Sequence, residues 1–266
     1  MMRKYLLTIA VALLVNCTLF AQTDLKICGV TNTSFAPGES ITYNIYYSVI
    51  GLYVNAGAAN FKTTEETFNN IPSYHTVGTG WTNSKYDWIF KVRDRYESYY
   101  DKQTMQPIKF IRNVNEGKYK RSQTAVFDHT NGTVTTEENK QLSVPKCSFD
   151  IISALFNIRS INLENLAVNS KIIFDMYLDG EVYHMHLRYL GKEEVETKLG
   201  TFKAFKVKPL LVKGNAFKGG EQMTAWISDD ANHIPVRIES DLSVGSIKVD
   251  LMQYGNLRSA LSSRVK

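Results

Sequence analysis

The sequence predicts a mainly β fold: a curved antiparallel sheet or incomplete β-barrel, with one central helix packed across it at about Phe149–Ile158. Three observations carry this. Most segments alternate apolar and polar residues with period two, the pattern of half-buried strands. Asn131-Gly132 and Asp179-Gly180 each sit between two such segments, and these dipeptides are strong hairpin signals. The aromatic load of 15 Tyr, 13 Phe and 3 Trp favours strands as well.

Taken in order, ITYNIYYSV (Ile41–Val49) starts directly after the turn residues Pro37 and Gly38. DWIFKV continues the alternation from Trp88 to Val92, followed by RYESYYD and by PIKFIRNV (Pro107–Val114). YKRSQTAVFDHT and TVTTEEN flank Asn131-Gly132, and KIIFDMYL and EVYHMHLRYL flank Asp179-Gly180. Phe202–Leu211, Gln222–Ser228, Pro235–Leu242 and Gly245–Tyr254 supply further strands. One stretch has helical periodicity: Ile151, Ile152, Leu155, Phe156 and Ile158, with Ser148 as the cap and Asp150 near the positive N-terminus. About a dozen strands in one sheet must curl, split or close. A helix lying in the resulting concavity finds cover for its apolar stripe there.

Residues 1–21 read as a cleavable secretory signal peptide. Arg3 and Lys4 precede the uncharged run Leu6–Phe20, and Ala21 stands before the polar mature start. That run is too short for a membrane span, so the mature chain is expected to carry no transmembrane segment. Cleavage before Cys17 would instead make a lipoprotein, but Asn16 occupies the position where such signals want a small residue. The expected location is the periplasm or cell envelope. Removing the signal takes Arg3 and Lys4 from the 31 basic residues, leaving 29 against 26 acids and a net charge of +3. That balance gives no reason to expect nucleic acid as a partner. The mature chain reads as one β-rich domain over 22–257 with a flexible basic tail at 258–266. Its two cysteines, Cys28 and Cys147, either pair in the oxidising exported space or stay as two buried thiols.

No reaction is written in the chain. It lacks a G-x-S-x-G elbow and a phosphate-binding loop, and no cofactor is expected. His184 and His186 share one face of a strand, the spacing of a two-histidine metal pair, and a metal-dependent hydrolase built on them is the enzymatic alternative. An outward polar face explains them equally, since Tyr183, Met185 and Leu187 form the apolar one. His75, His129 and His233 find no nucleophile, while Asp94 and Glu97 are three apart and face opposite sides of a strand. The aromatic run is more informative: Trp81, Trp88, Tyr96 and Tyr99 are the candidates for a ligand-binding groove. The expected function is non-enzymatic binding of a lipid- or glycan-like ligand in a half-barrel groove. An envelope protein–protein interaction module is the other alternative.

The segments FAPGESITYNIYYSVIGLYVNAGAANF, VRDRYESYYDKQTMQPIKF, SFDIISALFNIRS, LGTFKAFKVKP and WISDDANHIPVRIE occur in order between Phe35 and about Tyr254. This ordered set resembles the bacterial exported domain-of-unknown-function family 3108. The resemblance implies an exported β-rich domain with no assigned activity and no catalytic residues to carry over. More loosely, the architecture resembles the half-barrels of periplasmic lipoprotein carriers, an analogy of fold alone.

Overall fold

The computed structural model describes residues 24–48, 51–213 and 219–265. The expected signal peptide and Cys17 lie outside them. Fifteen strands run side by side in one curved sheet, and a sixteenth joins its edge. In chain order they are β1 (Leu25–Lys26), β2 (Ser40–Ser48), β3 (Val54–Phe68), β4 (Ile71–Thr82), β5 (Arg93–Asp101) and β6 (Pro107–Glu116). β7 (Tyr119–Asp128), β8 (Thr133–Thr136), β9 (Gln141–Ser143) and β10 (Ser148–Phe149) lead into the helix α1 (Ile151–Arg159). After it come β11 (Lys171–Leu178), β12 (Glu181–Thr197), β13 (Gly200–Pro209), β14 (Met223–Ser228), β15 (Pro235–Asp241) and β16 (Ser246–Gly255). Antiparallel neighbours run from β11 to β16, then from β2 to β9, so β16 against β2 joins the two halves of the chain. Among the described residues only β1 and β10 pair in parallel, both on the outer edge of β11.

The ends of this sheet meet through side chains rather than through a ladder. Phe127 of β7 packs edge-on against Tyr177 of β11 at 5.9 Å, and Arg112 of β6 pairs with Asp179 in the β11–β12 turn. The sheet is an incomplete barrel, mainly β with one α-helix among the described residues, as the alternation predicts. Cys28, just after β1, and Cys147, just before β10, form a disulfide with Cα atoms 5.0 Å apart.

Two-residue hairpin turns occur where short polar side chains and glycine tolerate left-handed backbone. Asp179 and Gly180 have φ of 55° and 85°, and Asn69 and Asn70 have 49° and 63°. The second turn closes β3–β4, the longest hairpin, which strand alternation alone does not reveal. Gly57 is needed there because a Cβ would run into the Trp81 carbonyl.

Three sequence expectations need correction. Trp88–Val92 is not strand: a 3-10 turn at Ser84–Tyr86 opens a loop, and pairing resumes in earnest at Arg93. Asp87 holds that loop closed through Thr82 (2.8 Å) and Arg93 (2.7 Å). The helix cap is Asp150, not Ser148, since Ser148 and Phe149 are drawn into pairing with Asp175 and Met176. Asp150 accepts from the amides of Ile152 and Ser153 at 2.8 and 3.0 Å, and the Ser153 hydroxyl accepts from the Asp150 amide. Finally, residues 258–265 are docked rather than free. Arg258 donates to the Asn32 carbonyl at 2.9 Å, Lys203 N–H to Ser263 O and Val265 N–H to Thr201 O, and Leu261 packs on the core.

The helix divides the interior. Ile152 and Phe156 face an aromatic cluster with Phe35, Tyr100 and Phe110, while Ala154 and Ile158 face Ile172, Leu187 and Phe205. It is fixed at both ends. Ser98 of β5 donates to the Asp150 carboxylate at 2.6 Å. At the other end, Arg159 makes a bidentate pair with Glu39 at 2.6 and 2.9 Å, both side chains 2% exposed, and also donates to the Asn232 carbonyl. Removing one partner of such a pair strands the other charge, at a cost of about 3–5 kcal/mol. Glu39→Gln, read by chemical denaturation, is expected to lose stability of that order without changing the far-ultraviolet spectrum of the remaining folded fraction.

Candidate functional site

On β4, Gly78 lies against Ile152 of the helix, so the opposite parity, including Trp81, faces away from the interior. Trp81 is 38% exposed and pairs with Ala58 of β3 on one side and Arg93 of β5 on the other. Across the β3–β4 pair from Trp81 stands Ala58, whose small side chain sits on the same face beside the part-exposed indole. The result is a groove of about 440 Å³ on the outer face of β2–β4, floored by Ala58 and bounded by Trp81, Thr42, Asn44, Asn55 and Arg93. That volume lies in the range of small-molecule sites. The amides are loosely engaged: Asn55 donates to Asn44 Oδ1 at 3.4 Å, and Asn44 to the Tyr46 hydroxyl at 3.5 Å. Arg93 is already committed to Asp87, Val92 O and Thr82 O, so its charge is balanced inside the protein. The groove therefore offers a flat apolar face and neutral hydrogen-bonding groups.

The four aromatic candidates do not converge. Tyr96 turns inward beside Phe110, and burial pushes its hydroxyl up to about 12. Tyr99 turns outward and stacks on His75 at 4.0 Å, with Phe68 on its flank. Trp88, 82% exposed, stands in the loop between β4 and β5. Only Trp81 lines the groove. The interior expected to form a binding half-barrel is occupied by α1 and by wholly buried Phe35, Tyr100, Phe110 and Phe156.

His184 and His186 do share a face, but each meets its own carboxylate. His184 Nδ1 lies 2.5 Å from Asp175, and His186 Nε2 lies 2.7 Å from Glu221. Glu221 also binds Arg188. Burial alone would raise its carboxyl, but hydrogen bonds from His186 and Arg188 outweigh this and hold it below the usual value. Among the described residues, no three His, Cys, Asp or Glu side chains gather as a metal site.

His75 is held more tightly than its sequence context suggests. Its ring nitrogens lie 2.9 Å from Glu66 and 3.0 Å from Glu97, beneath the Tyr99 ring. Glu97 is pulled both ways: burial opposes ionisation, while hydrogen bonds from Arg95 and His75 favour it and leave the carboxyl lowered. A carboxylate lowered in the folded state stabilises above its unfolded value, and that stabilisation is lost as pH falls through the folded value. The melting-temperature difference between wild type and Glu97→Gln is therefore expected to shrink steadily as pH falls below about 4. Thermal melts across pH check this; a constant difference would contradict it.

The sequence misses Asn44, Asn55 and Arg93 as groove residues. The available signal was parity: counting by twos from the Asn69-Asn70 turn puts Ala58 and Trp81 on one face.

An incomplete β-barrel of this kind, plugged by its own helix and bearing an outer groove, belongs to the β-barrel-like class. Matching that description, a crystal structure of a β-barrel-like protein of the DUF1849 domain from Brucella abortus superposes with a TM-score of 0.56, 9% identity, 85% of this chain and 100% of the other. The chain belongs to the family described as protein of unknown function (DUF3108), whose model matches residues 42–252. A candidate lipoprotein from Parabacteroides distasonis (TM-score 0.37, 14% identity, covering 86% of this chain and 100% of that one) is more distantly similar. So is an exported-protein candidate of YmcC-like fold from Bacteroides fragilis (0.31, 12%, 86% and 100%). A comparison with curated proteins finds no match. No helix among the described residues is long and apolar enough to cross a membrane.

Proposed function

We propose that the protein is an exported, non-enzymatic binding protein of the cell envelope that holds a glycan-like ligand in the groove at Trp81. The observation that carries this reading is the pairing of one exposed indole face with loosely bonded amides over a small-residue floor. A sugar ring presents a C–H face and an equatorial belt of hydroxyls. The indole covers the former, and Asn44, Asn55 and Thr42 serve the latter. The engaged Arg93 favours a neutral ligand over an anionic one. Export rests on the basic start and apolar run of residues 1–21. A lipid chain inside the barrel is less well supported, because the helix and aromatic core fill that space. A hydrolase at His184 and His186 is less well supported too, because their rings are already turned to separate carboxylates.

Calorimetric titration with a panel of short neutral oligosaccharides tests the reading. At least one is expected to bind, and Trp81→Ala is expected to weaken it roughly three- to tenfold, since an aromatic contact contributes about 0.5–1.5 kcal/mol. The same change should leave the melting temperature close to wild type. Silence across the panel, or a Trp81→Ala variant that binds like wild type, would sink it.

A further inference from the structure

The hairpin topology puts the connections at residues 51–53, 83–92, 117–118 and 242–245 at the same end of the sheet. Three of them carry exposed apolar tips. Leu52 and Trp88 are each 82% exposed, Val244 67% and Ile89 62%. The loops also hold one another. Tyr53 hydrogen-bonds Ser246 at 3.1 Å, Asn83 N–H donates to Ala56 O at 2.8 Å, and Gly117 N–H donates to Lys91 O at 2.8 Å. The tips thus form one continuous rim rather than scattered surface residues. Large apolar side chains grouped on a surface mark an interaction site.

Exposed lysines outnumber exposed acids on these connections and their flanks. Lys85, Lys91, Lys118 and Lys120 are exposed, and Lys248 lies 4.7 Å from the Tyr53 ring. Lys118 and Lys120 make no ion pair among the described residues. Asp87 is neutralised by Arg93 at 2.7 Å, Asp241 is exposed, and Glu116 beside the 117–118 turn is half-buried against Asp94, its carboxyl raised chiefly by burial. Protruding apolar tips interleaved with lysines match a lipid surface: the tips enter the boundary below the headgroups, and the lysines stay level with anionic phosphates.

We propose that this end of the sheet docks reversibly onto an anionic phospholipid bilayer. The rim borders the Trp81 groove at Asn83 and Ser84, but Trp88, Ile89, Lys118 and Lys120 lie outside the groove lining, so this inference does not rest on the glycan reading. Co-sedimentation of the mature protein with vesicles tests it. Binding is expected to vesicles of mixed phosphatidylglycerol and phosphatidylethanolamine, and to be far weaker to phosphatidylcholine alone. Trp88→Ser combined with Ile89→Ser should lower the bound fraction, and Lys118→Glu with Lys120→Glu should weaken binding at least about tenfold. Both pairs are exposed, so melting temperatures should stay near wild type. That control separates lost docking from lost folding. Oligosaccharide binding, where present, should survive both changes. No sedimentation with the anionic vesicles, binding that ignores the substitutions, or self-association that the serine variant abolishes would each overturn the proposal.

Discussion

The buried pair between Arg159 and Glu39 is the contact on which the remaining architecture turns. It joins the last residue of α1 to the residue before β2, 120 positions apart in sequence. The guanidinium also reaches the Asn232 carbonyl, and Asn232 in turn holds the carbonyls of Ser259 and Ala260. One charged group thereby gathers the helix, the start of the central strands, the β14–β15 turn and the C-terminal segment. Around it, the rings of Phe35 and Phe156 lie 5.5 and 4.9 Å from the guanidinium. Deep burial makes the arrangement all-or-none: a charge without its partner has no solvent to fall back on.

This lock decides where recognition can occur. Held at Asp150 by Ser98 and at Arg159 by Glu39, the helix cannot withdraw without breaking charged or capped contacts at both ends. Its two faces are each packed against an apolar cluster, so the barrel resembles a filled core rather than a container. The open groove lies outside, where Ala58 stands across from Trp81. The same interior explains Tyr100 and Tyr43, whose hydroxyls are driven well above the ordinary range chiefly by burial. They are structural groups and do not titrate near neutrality.

How much of this was legible in the sequence depended on range. Local signals worked: Asn131-Gly132 and Asp179-Gly180 mark hairpins, and the i, i+3/i+4 stripe from Ile151 marks the helix. The cap was misplaced by two residues because β10 competes for Ser148, a pairing with residues some 27 positions away. Alternation continued too far through Trp88 because the Asp87 contacts that bend the chain involve side chains, which no periodicity encodes. The C-terminal segment looked like a frayed basic end because its partners, Asn32, Thr201 and Asn232, are distant in the chain. The groove failed for the same reason: it takes residues from β2, β3, β4 and β5, and only their register brings Asn44 and Trp81 together.

The barrel is filled inside, and its open groove lies outside. The chain carries three tryptophans, one for each environment in question: Trp81 in the groove, Trp88 on the rim and Trp226 buried. Their indole N–H signals in a nitrogen-15 spectrum, followed while a binding oligosaccharide is titrated, give the most direct measurement. The Trp81 signal should move with saturation while Trp88 and Trp226 stay fixed. Movement at the methyls of Ile152 and Ile158, with Trp81 unchanged, would place the ligand inside and contradict the account.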